Sequence, residues 1–91
     1  MTEPTTIQRA LAADLKDLQL TAVAGRVLEG RISIARALQH VKREHGVKQR
    51  MLDLKSDRGS TGTVEMRERL ATWCEKAKFT LEHWSDWEPK S

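Results

Sequence analysis

A single cysteine, Cys74, is all that the 91 residues hold, so no intrachain disulfide can form and the fold must stand on packing. A reducing compartment suits such a chain. Aromatic residues are almost as scarce, with no tyrosine, one phenylalanine and three tryptophans. No stretch comes near the roughly 18 consecutive apolar residues of a membrane span. The opening Met1-Thr2-Glu3-Pro4 has no basic start leading into an apolar run, so a cytoplasmic location is expected. No window alternates apolar and polar residues long enough to argue for a strand.

Enzyme signals are missing too. His40 and His45 stand five apart, not the i, i+4 spacing that turns two imidazoles of one helix toward one metal. "DRGSTG" has the glycines of a phosphate cradle but lacks the Lys-Ser or Lys-Thr of a P-loop, and reads as a connection. Cys74 lies on an apolar face without a nearby base, which makes it a small core residue rather than a nucleophile; it could meet His83 only if the last two helices fold together. No catalytic, cofactor or metal site is expected.

What the chain does contain is charge and helical periodicity. Hydrophobic residues make up 38% and charged residues 32%, a globular and soluble balance, in a length that suits one domain over residues 1–91. The net charge of +3 is unevenly spread: residues 26–58 carry nine basic and four acidic side chains, an excess of five, while both flanking segments carry one more acid than base. A local excess of that kind attracts an anionic partner such as nucleic acid or an acidic protein surface.

Pro4 with Thr5 and Thr6 opens a first helix, in which Ile7, Leu11, Leu15 and Leu18 share one face. A second is expected over residues 22–29, capped by Thr21, with Val23 and Val27 inward, Gly25 as an internal weak point and Gly30 as a left-handed stop. Ser33 caps a third, with Ile34, Leu38 and Val41 buried, ending at Gly46; its other side shows Arg36, His40 and Arg43 as a basic stripe. "VKQRMLDLKSD" then offers Val47, Met51 and Leu54 to the core, and a loop, "DRGSTGT", closes with Thr63 as the next cap. Residues 64–78 form the most regular helix, with Met66, Leu70, Trp73, Cys74 and Ala77 on one side and its acids and bases placed to suit the helix dipole. Thr80 is expected to cap a last short helix through Trp87, stopped by Pro89.

Two segments fit the spacing of a helix-turn-helix, whose small and apolar positions let two helices cross tightly. The first joins Leu70, Trp73, Cys74, Ala77 and Phe79 to Trp84 and Trp87, but its second helix would present Glu82, His83, Asp86 and Glu88 to phosphates. The second runs through "ALQHVKREHGVKQRMLDLKS", with Lys48, Gln49 and Arg50 in its second helix. Leu52 fits this unit only if the helix is rotated away from the Val47, Met51 and Leu54 face. Over residues 14–29, "DLKDLQLTAVAGRVLE" resembles the opening helices of the helper ATPases of some insertion sequences, and no nucleotide-binding motif accompanies it.

The sequence thus predicts an all-α, compact bundle of about five or six short helices with a helix-turn-helix-like unit, and a small, non-enzymatic nucleic-acid-binding regulator, with DNA as the expected partner. Arg36, Arg43, Lys48, Arg50 and Lys55 are the expected phosphate contacts, and Gln49 and Arg50 the expected base readers. The alternative is a protein-binding adaptor or inhibitor, for example a mobile-element product that occludes a host protein's functional surface. Trp84 and Trp87 then become the candidate protein interface, or a seam between two copies; their simpler role is to clamp the last helix onto the core.

Overall fold

Thr5 begins the first helix through a reciprocal pair of bonds. Its hydroxyl accepts from the Gln8 backbone N–H, and the Gln8 side chain accepts from the Thr5 N–H, at 3.1 and 2.7 Å. A computed structural model describes residues 3–55 and 64–87 of the chain. Four α-helices follow one another: α1 (Thr6–Asp17), α2 (Thr21–Leu28), α3 (Ile34–Lys55) and α4 (Val64–His83), with a 3-10 turn at Ser85–Trp87. No strand occurs among the described residues. The all-α class is as expected, with four α-helices among the described residues in place of five or six.

Helices α1 and α2 end in the same way. Leu20 N–H donates to Leu15 C=O at 2.8 Å and Gln19 N–H to Lys16 C=O at 2.9 Å, the paired bonds of a Schellman turn. Arg31 N–H to Arg26 C=O and Gly30 N–H to Val27 C=O repeat the arrangement. The left-handed residue is Gly30 in the second turn, as the sequence suggests, with φ +74°; in the first it is Gln19, with φ +63°. Thr21 lies inside α2 and caps nothing, since Leu20 holds the cap position.

One apolar cluster draws on all four helices: Leu11, Ala12, Leu15 and Leu18; Val23, Ala24 and Val27; Ala37, Leu38 and Val41; Ala77 and Trp84. Ile7, expected with the first group, stays at the rim and exposed. Among the described side chains of α3 the cluster reaches as far as Val41, and the helix continues to Lys55. At about 1.5 Å per residue, α3 runs for about 33 Å and α4 for about 30 Å. Lys48 of α3 lies over Trp73 of α4, whereas Ala37 to Val41 meet the Ala77 and Trp84 region, so the two helices are antiparallel. Their far halves project past the core as a hairpin, and the molecule measures 50 × 27 × 18 Å.

The largest departure from the sequence reading is at Gly46, where no helix ends. Its position is exposed, and a Cβ there would meet nothing within 4 Å, so the glycine serves no turn and no close approach. The intrinsic penalty of about 1 kcal/mol is offset by the antiparallel packing on α4 and by side-chain bonds one turn apart: Lys48 to Glu44 at 2.9 Å and Gln49 to Asp53 at 3.4 Å. The helix also takes the rotated phase. Val47 and Met51 point outward, and Lys48 and Leu52 turn partly inward. On α4, Cys74 and Ala77 are buried as expected, Met66 is exposed, and Thr80 is a buried interior residue and not a cap. Neither segment matched to a helix-turn-helix contains its turn, because each lies within one continuous helix up to its last residues. The expectations for Leu54, for the loop at 57–63 with its cap Thr63, and for Pro89 lie outside the described residues.

Candidate nucleic-acid interface

Arg36, Arg43 and Arg50 recur every seven residues along α3. Seven residues fall about 20° short of two full turns, so the three side chains leave the helix in nearly one direction, about 10.5 Å apart along its axis. The phase of that direction is fixed by the residues on the other side. Ala37, Leu38 and Val41 are fully buried, and Lys48 and Leu52 continue their row against α4. At about 100° per residue the arginines stand opposite that row, on the outward crest of the helix. All three are exposed.

Electrostatics distinguish this crest from an ordinary solvated face. Of the carboxylates on α3, Glu44 pairs with Lys48 at 2.9 Å and Asp53 accepts from the Gln49 amide. Among the described residues, no ion pair engages Arg36, Arg43 or Arg50. Arg36, Gln39, His40 and Arg43 wall an open cleft of about 140 Å³. Three unneutralised cations in a line about 21 Å long form a strip of positive potential suited to a polyanion.

The other expected contacts fall elsewhere. Lys48 is drawn inward: its ammonium sits 4.6 Å from the centre of the Trp73 ring and bonds Glu44, so it serves the hairpin and not the crest. Gln49 lies on the flank, and its amide donates to the Asp53 carboxylate at 3.4 Å. The Lys55 side chain lies outside the described residues. Of the six residues expected in the sequence, the structure aligns Arg36, Arg43 and Arg50 and separates Lys48 and Gln49 from them. The row Val41, His45, Lys48, Leu52, each three or four residues from the next, is the signal that identifies Lys48 as facing inward.

Trp73 ties three helices together. Its indole N–H donates to Leu18 C=O at the end of α1 at 2.7 Å, while its face receives Lys48. Cys74 beside it is buried, and desolvation pushes its thiol above the ordinary value, with Lys48 opposing and Asp53 adding to the shift.

Trp84 and Trp87 have separate fates. Trp84 is 5% exposed and its indole N–H donates to the Asp14 carboxylate at 2.8 Å, so it clamps α4 onto α1 and is not available as an interface. A tryptophan so buried contributes on the order of 4 kcal/mol of apolar transfer. Trp87 leans on it at 6.4 Å between ring centres and remains 44% exposed. Among the described residues no three His, Cys, Asp or Glu side chains gather as metal ligands, and no described helix is long and apolar enough to cross a membrane. Compared with protein-family models, with curated proteins and with solved structures, the chain matches none.

Proposed function

We propose that this is a small, non-enzymatic nucleic-acid-binding protein of the cytoplasm, regulatory in role, which lays the outward crest of α3 against a phosphodiester backbone. One observation carries the reading: Arg36, Arg43 and Arg50 share one exposed face at two-turn intervals with no described carboxylate paired to any of them. Guanidinium groups stay charged at any physiological pH and bond phosphate oxygens in pairs, so a straight row of them is suited to backbone contact. The mode is a single exposed helix face stiffened by an antiparallel partner, in place of the helix-turn-helix expected from the sequence.

The test is binding of a labelled nucleic acid across a salt series. Arg43→Glu and Arg50→Glu are each expected to lower affinity by about tenfold at low salt, and the neutral Arg→Gln variants to reduce the slope of log affinity against log salt by about one each. Equal binding by wild type and both charge-reversed proteins would remove the crest from the function.

A protein-binding adaptor or inhibitor is the second reading, and a different feature favours it. Val47, Met51, Val64 and Met66, on the projecting part of the hairpin, are each more than 40% exposed. Such a group of apolar side chains suits a partner surface. Under this reading Met66→Glu disables the protein in the cell while its helicity and its behaviour toward nucleic acid stay as in wild type.

A further inference from the structure

We infer that the ligand of the α3 crest is double-stranded nucleic acid, gripped by its phosphates without regard to base sequence. The inference rests on the nucleic-acid reading above and adds the form of the ligand.

Proteins that hold single strands combine a basic groove with aromatic side chains on which unstacked bases rest, each base contributing about 1–3 kcal/mol. This chain has four such side chains apart from histidine, and every one has a described position away from the crest. Trp73 is bonded to Leu18 and covered by Lys48. Trp84 is buried against Asp14, and Trp87 leans on Trp84. Phe79 is exposed, but it lines a groove made by α1 and α4 together with the carboxylates of Asp14, Asp17 and Glu75, where a nucleic-acid backbone is repelled. Helix α3 has no Phe, Trp or Tyr at all. A single strand laid on the crest would find cations and, for stacking, only the small ring of His40.

Shape leads to the same conclusion. The crest is the outward ridge of one helix, and the cleft described on it is walled by the side chains of Arg36, Gln39, His40 and Arg43. That cleft offers a phosphate two arginines and offers a base only the imidazole ring of His40. A duplex presents one negative charge per about 1.7 Å of its axis at fixed positions, so a helical row of about 21 Å meets several phosphates without first ordering the ligand. A flexible strand must lose conformational freedom to match the same row. Sequence readout uses amides that reach adenine edges or guanidinium groups that reach guanine edges. Of the two amides on α3, Gln49 bonds Asp53 and Gln39 lines the cleft, and an arginine engaged by phosphates is not free to read guanine.

The experiment uses the whole chain and four fluorescent probes: two unrelated duplexes of roughly 20 base pairs, an oligothymidylate of equal length, and a duplex RNA, titrated between about 50 and 200 mM salt. The expected result is a duplex at least about fivefold tighter than oligothymidylate, the two DNA duplexes within about threefold of each other, and a salt slope near 2.7 for three phosphate contacts. Arg36→Gln, whose fold is checked by circular dichroism, is expected to lower that slope by about one. Duplex RNA binding as tightly as DNA agrees with phosphate-only contact. Oligothymidylate binding as well as the duplexes, or one duplex preferred by more than about tenfold, overturns the inference and leaves the crest as a nucleic-acid site. Absence of binding to all four probes overturns the nucleic-acid reading itself.

Discussion

Lys48 is the residue at which composition and position disagree. It belongs to the basic excess of the central segment, yet its ammonium lies over Trp73 and against Glu44, partly buried. The surroundings of one indole, a cation on its face and a carbonyl on its N–H, convert a surface lysine into part of the seam between α1, α3 and α4. Next to this seam the Cys74 thiol is raised from its ordinary value of 9.0 by burial. Burial favours the neutral thiol in the fold, so the unfolded chain gives up its proton first as pH rises. The contribution to stability is therefore complete below 9.0 and is lost as pH climbs through the raised value. Urea melts of wild type and Cys74→Ala at about pH 8 and about pH 10 check this: the stability advantage of the wild type should shrink at the higher pH. An advantage that stays constant contradicts it.

At the scale of the element, α3 poses the main question, because a glycine in mid-sequence invites a break that the helix does not take. Gly46 keeps ordinary helical backbone, is exposed, and has open space where a Cβ would go. Gly46→Ala should accordingly stabilise the protein by about 0.5–1 kcal/mol and raise Tm by several degrees. A helix-turn-helix would have given the opposite sign, since alanine in a left-handed turn costs about 1–2 kcal/mol. Thermal melts of the single variant separate the two architectures. Continuity of α3 is also what aligns Arg43 with Arg50. A turn between them would have aimed the two guanidinium groups in different directions and divided the crest.

The whole molecule is longer than its chain length requires. Its radius of gyration is 14.8 Å, against about 12 Å for a spherical domain of this size. Stability is distributed unevenly along that length. Among the described side chains, the buried ones of α3 lie between Ala37 and Val41 and those of α4 from Cys74 onward, whereas Val47, Met51, Val64 and Met66 at the far end are exposed. Amide hydrogen exchange should show protection greatest at Leu38, Val41 and Ala77 and decreasing through residues 47–53 and 66–70. Uniform protection along both helices would contradict this gradient. The same asymmetry bears on function: Arg36 is anchored next to the core, and Arg50 is carried on the less supported part of the hairpin.

The sequence by itself determined the class, most of the helix starts and one stop. Thr5 and Ser33 cap α1 and α3 as their hydroxyls allow, Gly30 takes the left-handed turn, and Leu11, Leu15, Leu38, Val41, Cys74 and Ala77 are buried where a period of 3.6 residues places them. These features depend on neighbours within one or two turns, which a linear chain records directly. The tertiary structure alone decided whether Gly46 breaks α3, which of two phases the helix adopts beyond it, and which cations remain free. All three depend on what α4 presents from the opposite direction in sequence. Packing Leu52 and Lys48 against α4, with Trp73 as the meeting point, outweighs the local cost of a glycine and the exposure of Val47 and Met51, and in doing so leaves Arg36, Arg43 and Arg50 in line.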